Sequence, residues 1–136
     1  MIGGDGIVAG DEVQVAVTIA SARTMAGNDM VTTVGEIARP DWPDETLNGP
    51  PESMVFLELL GLGRSRVEPL LSLAKTHLHR AAASHGAVCG QTASSAGWHA
   101  GLSPHAPYTV HPDLLAGACQ LSQDHQVPLA MHLAES

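Results

Sequence analysis

Short apolar runs alternate with punctuated amphipathic stretches along this chain, and that alternation limits the folds open to it. Met30-Val31-Thr32-Thr33-Val34 is short and β-branched, and reads as a buried strand. Met54–Leu59 reads as a second strand and Ala100–Ser103 as a third. Val127–Leu133 reads as a fourth, with Pro128 near its start, where a proline is tolerated. Helical spacing fills the intervals. Val13, Ala16, Val17 and Ala20 share one face within residues 11–26, and Gly27-Asn28 forms a stop. Ser65-Arg66-Val67-Glu68 fits a capping box that opens a helix to about Ser84. Its inward face is Val67, Leu70, Leu71, Ala74 and Leu78, and Gly86 ends it. Pro112 fits the first turn of a helix to about His125, with Leu114, Leu115, Ala118 and Leu121 on one face. Residues 38–53 hold Pro40, Pro43, Pro50 and Pro51 and read as loop, as does the small-residue stretch 87–98.

Apolar strands that alternate with capped helices imply parallel pairing through right-handed crossovers. Strands near 30–36, 54–59, 100–103 and 127–133 are therefore expected side by side in one parallel sheet, with helices packed outside. The fold class is α/β, and two architectures fit: part of a (β/α)8 barrel, or an open doubly wound sheet. No Gly-rich phosphate loop follows any strand, which counts against a nucleotide-binding version of the second.

Charge narrows the functions. Six Lys+Arg stand against 14 Asp+Glu, for a net charge of −8, so no basic face for nucleic acid can be assembled. No apolar run reaches the roughly 18 residues of a membrane span, and no secretory leader is visible. Cys89 and Cys119 are too few for a disulfide framework or a cysteine zinc site, and a reduced, cytoplasmic setting is expected. All eight histidines fall after residue 76, and the last Lys or Arg is Arg80. Imidazole without fixed positive charge suits metal binding or proton transfer.

Three histidine motifs stand out. In His132-Leu133-Ala134-Glu135-Ser136, an imidazole ends a buried strand, where barrel enzymes place their chemistry. Glu135 follows three residues later, within reach of the same cavity. The pair suits a divalent metal held by His and protons moved by Glu. In Ser103-Pro104-His105-Ala106-Pro107-Tyr108, two prolines restrict the backbone on either side of His105 and hold its ring in place. His77-Leu78-His79 has the form of a metal-binding H-x-H pair but lies inside the expected helix. Positions i and i+2 of a helix point about 200° apart, so the rings cannot share an ion. Both are expected on a solvated helix face. Cys89, Cys119, His85, His99, His111 and His125 receive no role.

Together, Gly101-Leu102-Ser103-Pro104-His105-Ala106-Pro107-Tyr108-Thr109 and Leu129-Ala130-Met131-His132-Leu133-Ala134-Glu135-Ser136 resemble the amidohydrolase superfamily. The nearer resemblance is to its cytosine-deaminase-like branch, which includes adenosine-derivative and guanine deaminases and the triazine chlorohydrolases. Residues 30–37 and 54–61 resemble that family's second- and third-strand segments. The resemblance implies a partial (β/α)8 barrel, roughly strands two to five, with residues 1–136 as an internal fragment of one metal-dependent hydrolase domain. It implies that His132 is a metal ligand at the end of the fifth strand, Glu135 the catalytic acid/base, and His105 a substrate-binding residue. It further implies one divalent ion, zinc first and iron second, and a small N-heterocyclic substrate. The amino group would leave as ammonia, or chloride would leave in a chlorohydrolase. The family's first-strand H-x-H pair has no match before residue 11, and its later ligands would fall beyond Ser136. A whole barrel takes about 250 residues, so this chain alone is expected to be inactive. Two other readings stand beside this one. The first is a non-catalytic fragment that associates through open sheet edges. The second is an unrelated doubly wound binding domain, in which His105 and His132 would lie far apart.

Overall fold

The computed structural model describes residues 33–41, 52–85 and 98–134. The expected helix 11–26, the start of the first strand, most of the proline-rich loop, residues 86–97 and Glu135 lie outside the described residues.

Among the described residues three strands form one sheet: β1 (Thr33–Ala38), β2 (Glu52–Leu59) and β3 (Trp98–Pro104). Their spatial order is β1-β2-β3 and both pairings are parallel. Leu57 stands opposite Ala38 on one side and Leu102 on the other. A further parallel bridge joins Leu102 to Leu129, which puts the chain after residue 127 beside β3. Each new strand is thus added to the same side of the last. A doubly wound sheet reverses strand order at a switch point; the described strands do not.

Among the described residues two helices carry the other half of the core. A 3₁₀ turn at Arg64–Arg66 leads into α1 (Val67–His85), and α2 is Pro112–His125. The helices pack on each other and both pack on β3, so they cover one face of the sheet. Their seam is close: a Cβ on Gly117 would fall 2.6 Å from a methyl of Leu71. On β2, Ser53, Val55, Leu57 and Leu59 are buried, and Met54, Phe56 and Glu58 between them are half-buried. That period of two is what a strand imposes on a covered and a less covered face. Leu70, Ala74 and Leu78 of α1 and Leu114, Ala118 and Leu121 of α2 complete the core. On the opposite face the Phe56 ring lies over Gly101, its partner in register, where any side chain would collide with it.

Four expectations change. The first strand continues to Ala38, past the expected end at residue 36. The capping box does not form at Ser65, which sits inside the 3₁₀ turn. Gly63 precedes that turn in an extended conformation, and its carbonyl accepts from Arg66 N–H at 2.9 Å. The fourth strand contracts to the bridge at Leu129. Pro128 has no N–H, so its contribution is its carbonyl, which accepts from Leu102 N, while Ala130 N donates to Leu102 O.

The fourth change concerns His77, which was expected in solvent. It is 3% exposed, at the seam of α1 and the sheet. Residues 70, 74, 77, 78 and 81 follow one another down a single helical face, so His77 falls on the buried stripe. Its Nε2 donates to the Val55 carbonyl at 3.0 Å, and its ring packs on Trp98 with centroids 5.0 Å apart. Burial pushes its pKa below the ordinary value, and the Arg80 charge adds to this. Hydrogen bonds to the backbone of Val55 and Gly101 oppose it. His79 is exposed, so the two rings of the H-x-H pair do face different surroundings.

Candidate functional site

The C-terminal ends of the parallel strands are tied into a rim by backbone hydrogen bonds. His105 N donates to Leu59 O at 3.0 Å, which fastens the residue after β3 to the end of β2. His132 N donates to His105 O at 2.9 Å, which fastens the next segment to β3. Behind them Gly61 bridges Val110. Gly61 N donates to Thr109 O and His111 N to Gly61 O, at 3.0 and 2.8 Å. His105 thus follows the end of β3 and His132 follows the bridge at Leu129, side by side by construction of the ladder. Their ring centroids lie 5.3 Å apart. His105 is half-buried and His132 is exposed. The far-apart arrangement expected of an unrelated doubly wound domain is not found.

The turn that carries His105 is stiffened twice. Pro104 and Pro107 limit its backbone, and Thr109 closes it. Thr109 N donates to Ala106 O at 3.0 Å. The Thr109 hydroxyl lies 2.9 Å from His105 Nδ1, accepts from Ala106 N at 3.2 Å and donates to Ala106 O at 3.1 Å. Sequence reasoning passed over Thr109. The available signal was a hydroxyl residue placed to close a proline-bracketed turn, a role Thr fills through its own side chain.

Two more residues were passed over. Ser103 is 1% exposed, two positions before His105, and its hydroxyl has no hydrogen-bond partner among the described residues. It stands opposite Glu58 in the β2–β3 register. His111 was given no role, yet it caps α2. It is extended, and its Nδ1 accepts from Asp113 N at 3.1 Å, just before Pro112 begins the helix. His99 pairs with Glu52 at 2.6 Å near the opposite ends of the strands, away from the rim. His125 meets His79 edge-on across the helix pair, and Cys119 is a half-buried free thiol.

Two adjacent imidazoles have donor chemistry that suits zinc or a similar divalent ion. Among the described residues no three His, Cys, Asp or Glu side chains converge to hold an ion. The residues present therefore fit one edge of a metal site, and further ligands would have to come from outside the described residues. Among the described residues no helix is long and apolar enough to cross a membrane.

No protein-family model matches the chain, and no curated protein matches it. Solved structures do. The chain is similar to aminofutalosine deaminase of Helicobacter pylori, with a TM-score of 0.60 and 28% identity over 87% of this chain and 27% of that one. It is also similar to the same enzyme in complex with methylthio-coformycin, with a TM-score of 0.53 and 23% identity over 86% of this chain and 26% of that one. The second likeness bears on the fold alone. The chain spans about a quarter of the length of these structures. The likeness supports the amidohydrolase superfamily and a partial barrel, without distinguishing a branch.

Proposed function

We propose that this chain supplies part of the barrel of an amidohydrolase-type hydrolase that deaminates an amino-substituted N-heterocycle. The observation that carries the reading is the placement of His105 after β3 and His132 after the parallel bridge at Leu129, with rings 5.3 Å apart. The likeness to a deaminase is its second support. Among amidohydrolases, the two histidine motifs favour the cytosine-deaminase-like branch.

In this proposal His132 holds one position of a divalent ion, zinc or iron, through its exposed imidazole. The ion, when bound, makes water acidic enough to serve as a nucleophile near neutral pH. His105 contacts the heterocycle, and its rigid turn keeps the ring from swinging away between turnovers. Glu135 moves a proton from the attacking water toward the departing amine, a task for a carboxylate next to the reacting centre. Phe56 over Gly101 and the half-buried Met54 line the inner sheet face as an apolar floor. Catalysis needs a complete ligand set, and a catalytic zinc normally takes three protein ligands. We therefore assign no turnover to these 136 residues by themselves.

The test is ammonia release by the full protein from adenosine derivatives, guanine, cytosine and amino-s-triazines, with chloride release from chloro-s-triazines alongside. Ammonia from one of these, lost in Glu135→Gln with metal retained, supports the reading. Chloride release without ammonia would move the protein to the chlorohydrolases. Turnover unaffected by both Glu135→Gln and His132→Ala would refute the site.

A further inference from the structure

α1 and α2 run side by side in the same direction, since each follows a strand of one parallel sheet and both cover the same face. Their register is fixed where Gly117 lies against Leu71, a contact that leaves no room for a Cβ. About 12 Å, or roughly two turns, farther along each helix stand His79 on α1 and His125 on α2. The helix pair therefore brings these two imidazoles together across its seam. Their ring centroids lie 6.1 Å apart, with planes at 74°, and both residues are exposed. An imidazole nitrogen binds zinc at about 2.0–2.1 Å, which sets the ring centre about 3.2 Å from the ion, so two rings on one ion have centres at most about 6.4 Å apart. A tetrahedral angle at the ion brings them to about 5.2 Å, within reach of side-chain rotation at an exposed position. This pair is not the H-x-H motif. His77 is held at the sheet, and His79 takes its partner from the other helix.

We propose that His79 and His125 form a second metal site, which takes zinc and staples α1 to α2 on their exposed face. Imidazole nitrogen suits zinc and its neighbours among the divalent transition ions, whereas calcium and magnesium take oxygen. α2 carries Asp113 and Asp124 and no Lys or Arg. His125 is its last residue, so the negative end of the helix dipole lies beside any cation the rings hold. The fixed cations of the helix pair, Lys75 and Arg80, both belong to α1. Asp124 accepts from Gln120 Nε2 at 2.7 Å and is not counted as a ligand. Among the described residues no third His, Cys, Asp or Glu converges on the pair, so water completes the shell. An ion held by two protein ligands exchanges readily and is removed by dialysis, unlike one held by a full catalytic set. Helix packing places the rings before the ion arrives, so binding costs little in ordering them. Zinc bound to the folded pair then stabilises it by mass action.

The test is calorimetric titration of Zn(II) into the full protein carrying His132→Ala, so that the rim contributes no ion and the outcome is independent of the function proposed above. The expected result is one exchangeable zinc that dialysis removes. His79→Gln and His125→Gln, each added to that background, should weaken binding about tenfold or more, as the loss of one of two protein ligands. Both positions are exposed, so the fold should survive, and an unchanged Tm in chelator checks this. Thermal unfolding then reads the staple. Saturating zinc should raise Tm in the parent, and the rise should vanish in both variants. No exchangeable zinc in the parent, or an affinity unmoved by either substitution, would overturn the site. Weakening in one variant alone would overturn the bridge between the helices, and binding without a rise in Tm would overturn the staple.

Discussion

The seam between α1 and the sheet and the rim at the strand ends use the same side chain for opposite purposes. At the seam, His77 is enclosed by Trp98 and the β2 backbone and gives its Nε2 proton to a carbonyl. At the rim, His105 and His132 are held by their own backbone hydrogen bonds while their rings stay half-buried and exposed. The first arrangement spends the imidazole on packing, and burial keeps it neutral. The second holds the rings at the surface of the rim, with the Thr109 hydroxyl against the His105 Nδ1. An H-x-H motif in a helix is thus structural here, and two histidines far apart in sequence are the pair that meets.

If the seam is the stabilising region, its apolar side chains should dominate unfolding. Leu102→Ala should cost about 3 kcal/mol in chemical denaturation, as a fully buried Leu does. His132→Ala, at an exposed position, should stay within about 0.5 kcal/mol of wild type. Comparable losses in the two variants would erase the distinction between seam and rim.

The seam should also respond to acid. The His77 pKa is lowered in the folded protein, so below about pH 6.5 the unfolded chain takes up the proton first. Stability from this group is present at neutral pH and drains away as pH falls from the unfolded value toward the lowered, folded one. His77→Leu should flatten the stability profile across that window. A profile as steep as wild type would show that His77 is not the group responsible.

Smaller effects sharpen the comparison at the helix ends. Gln126 ends α2 in the left-handed conformation, at φ 54°, which glycine adopts without strain. Gln126→Gly should stabilise by about 0.5–1 kcal/mol in thermal unfolding. The exposed Arg64–Asp113 pair, at 2.9 Å, ties the 3₁₀ turn to the start of α2. Arg64→Ala should cost less than about 0.5 kcal/mol, with the difference shrinking in high salt.

Much of the described fold was legible because it follows from periodicity. Leu70, Ala74 and Leu78 repeat at helical spacing, Pro112 opens α2, and the alternating strands and helices fix parallel pairing. The His105–His132 meeting was legible as strand-end chemistry together with family motifs. What escaped depended on packing geometry that sequence spacing does not encode. His77 shares a helical face with Leu70, but polarity argued for solvent until Trp98 and the Val55 carbonyl were seen beside it. Ser65 looked like a cap because the 3₁₀ turn beginning at Arg64 leaves no mark in composition. Thr109 matters through one hydroxyl placed against one ring nitrogen, a contact that only the folded turn creates.

In the proposed function the rim bears the metal and the seam is structural. The direct measurement is metal content after exhaustive dialysis of the full protein, its His132→Ala variant and its His77→Leu variant. The prediction is bound zinc or iron in wild type and His77→Leu, and loss of the ion in His132→Ala with the fold intact. Stoichiometric metal retained by His132→Ala would contradict it.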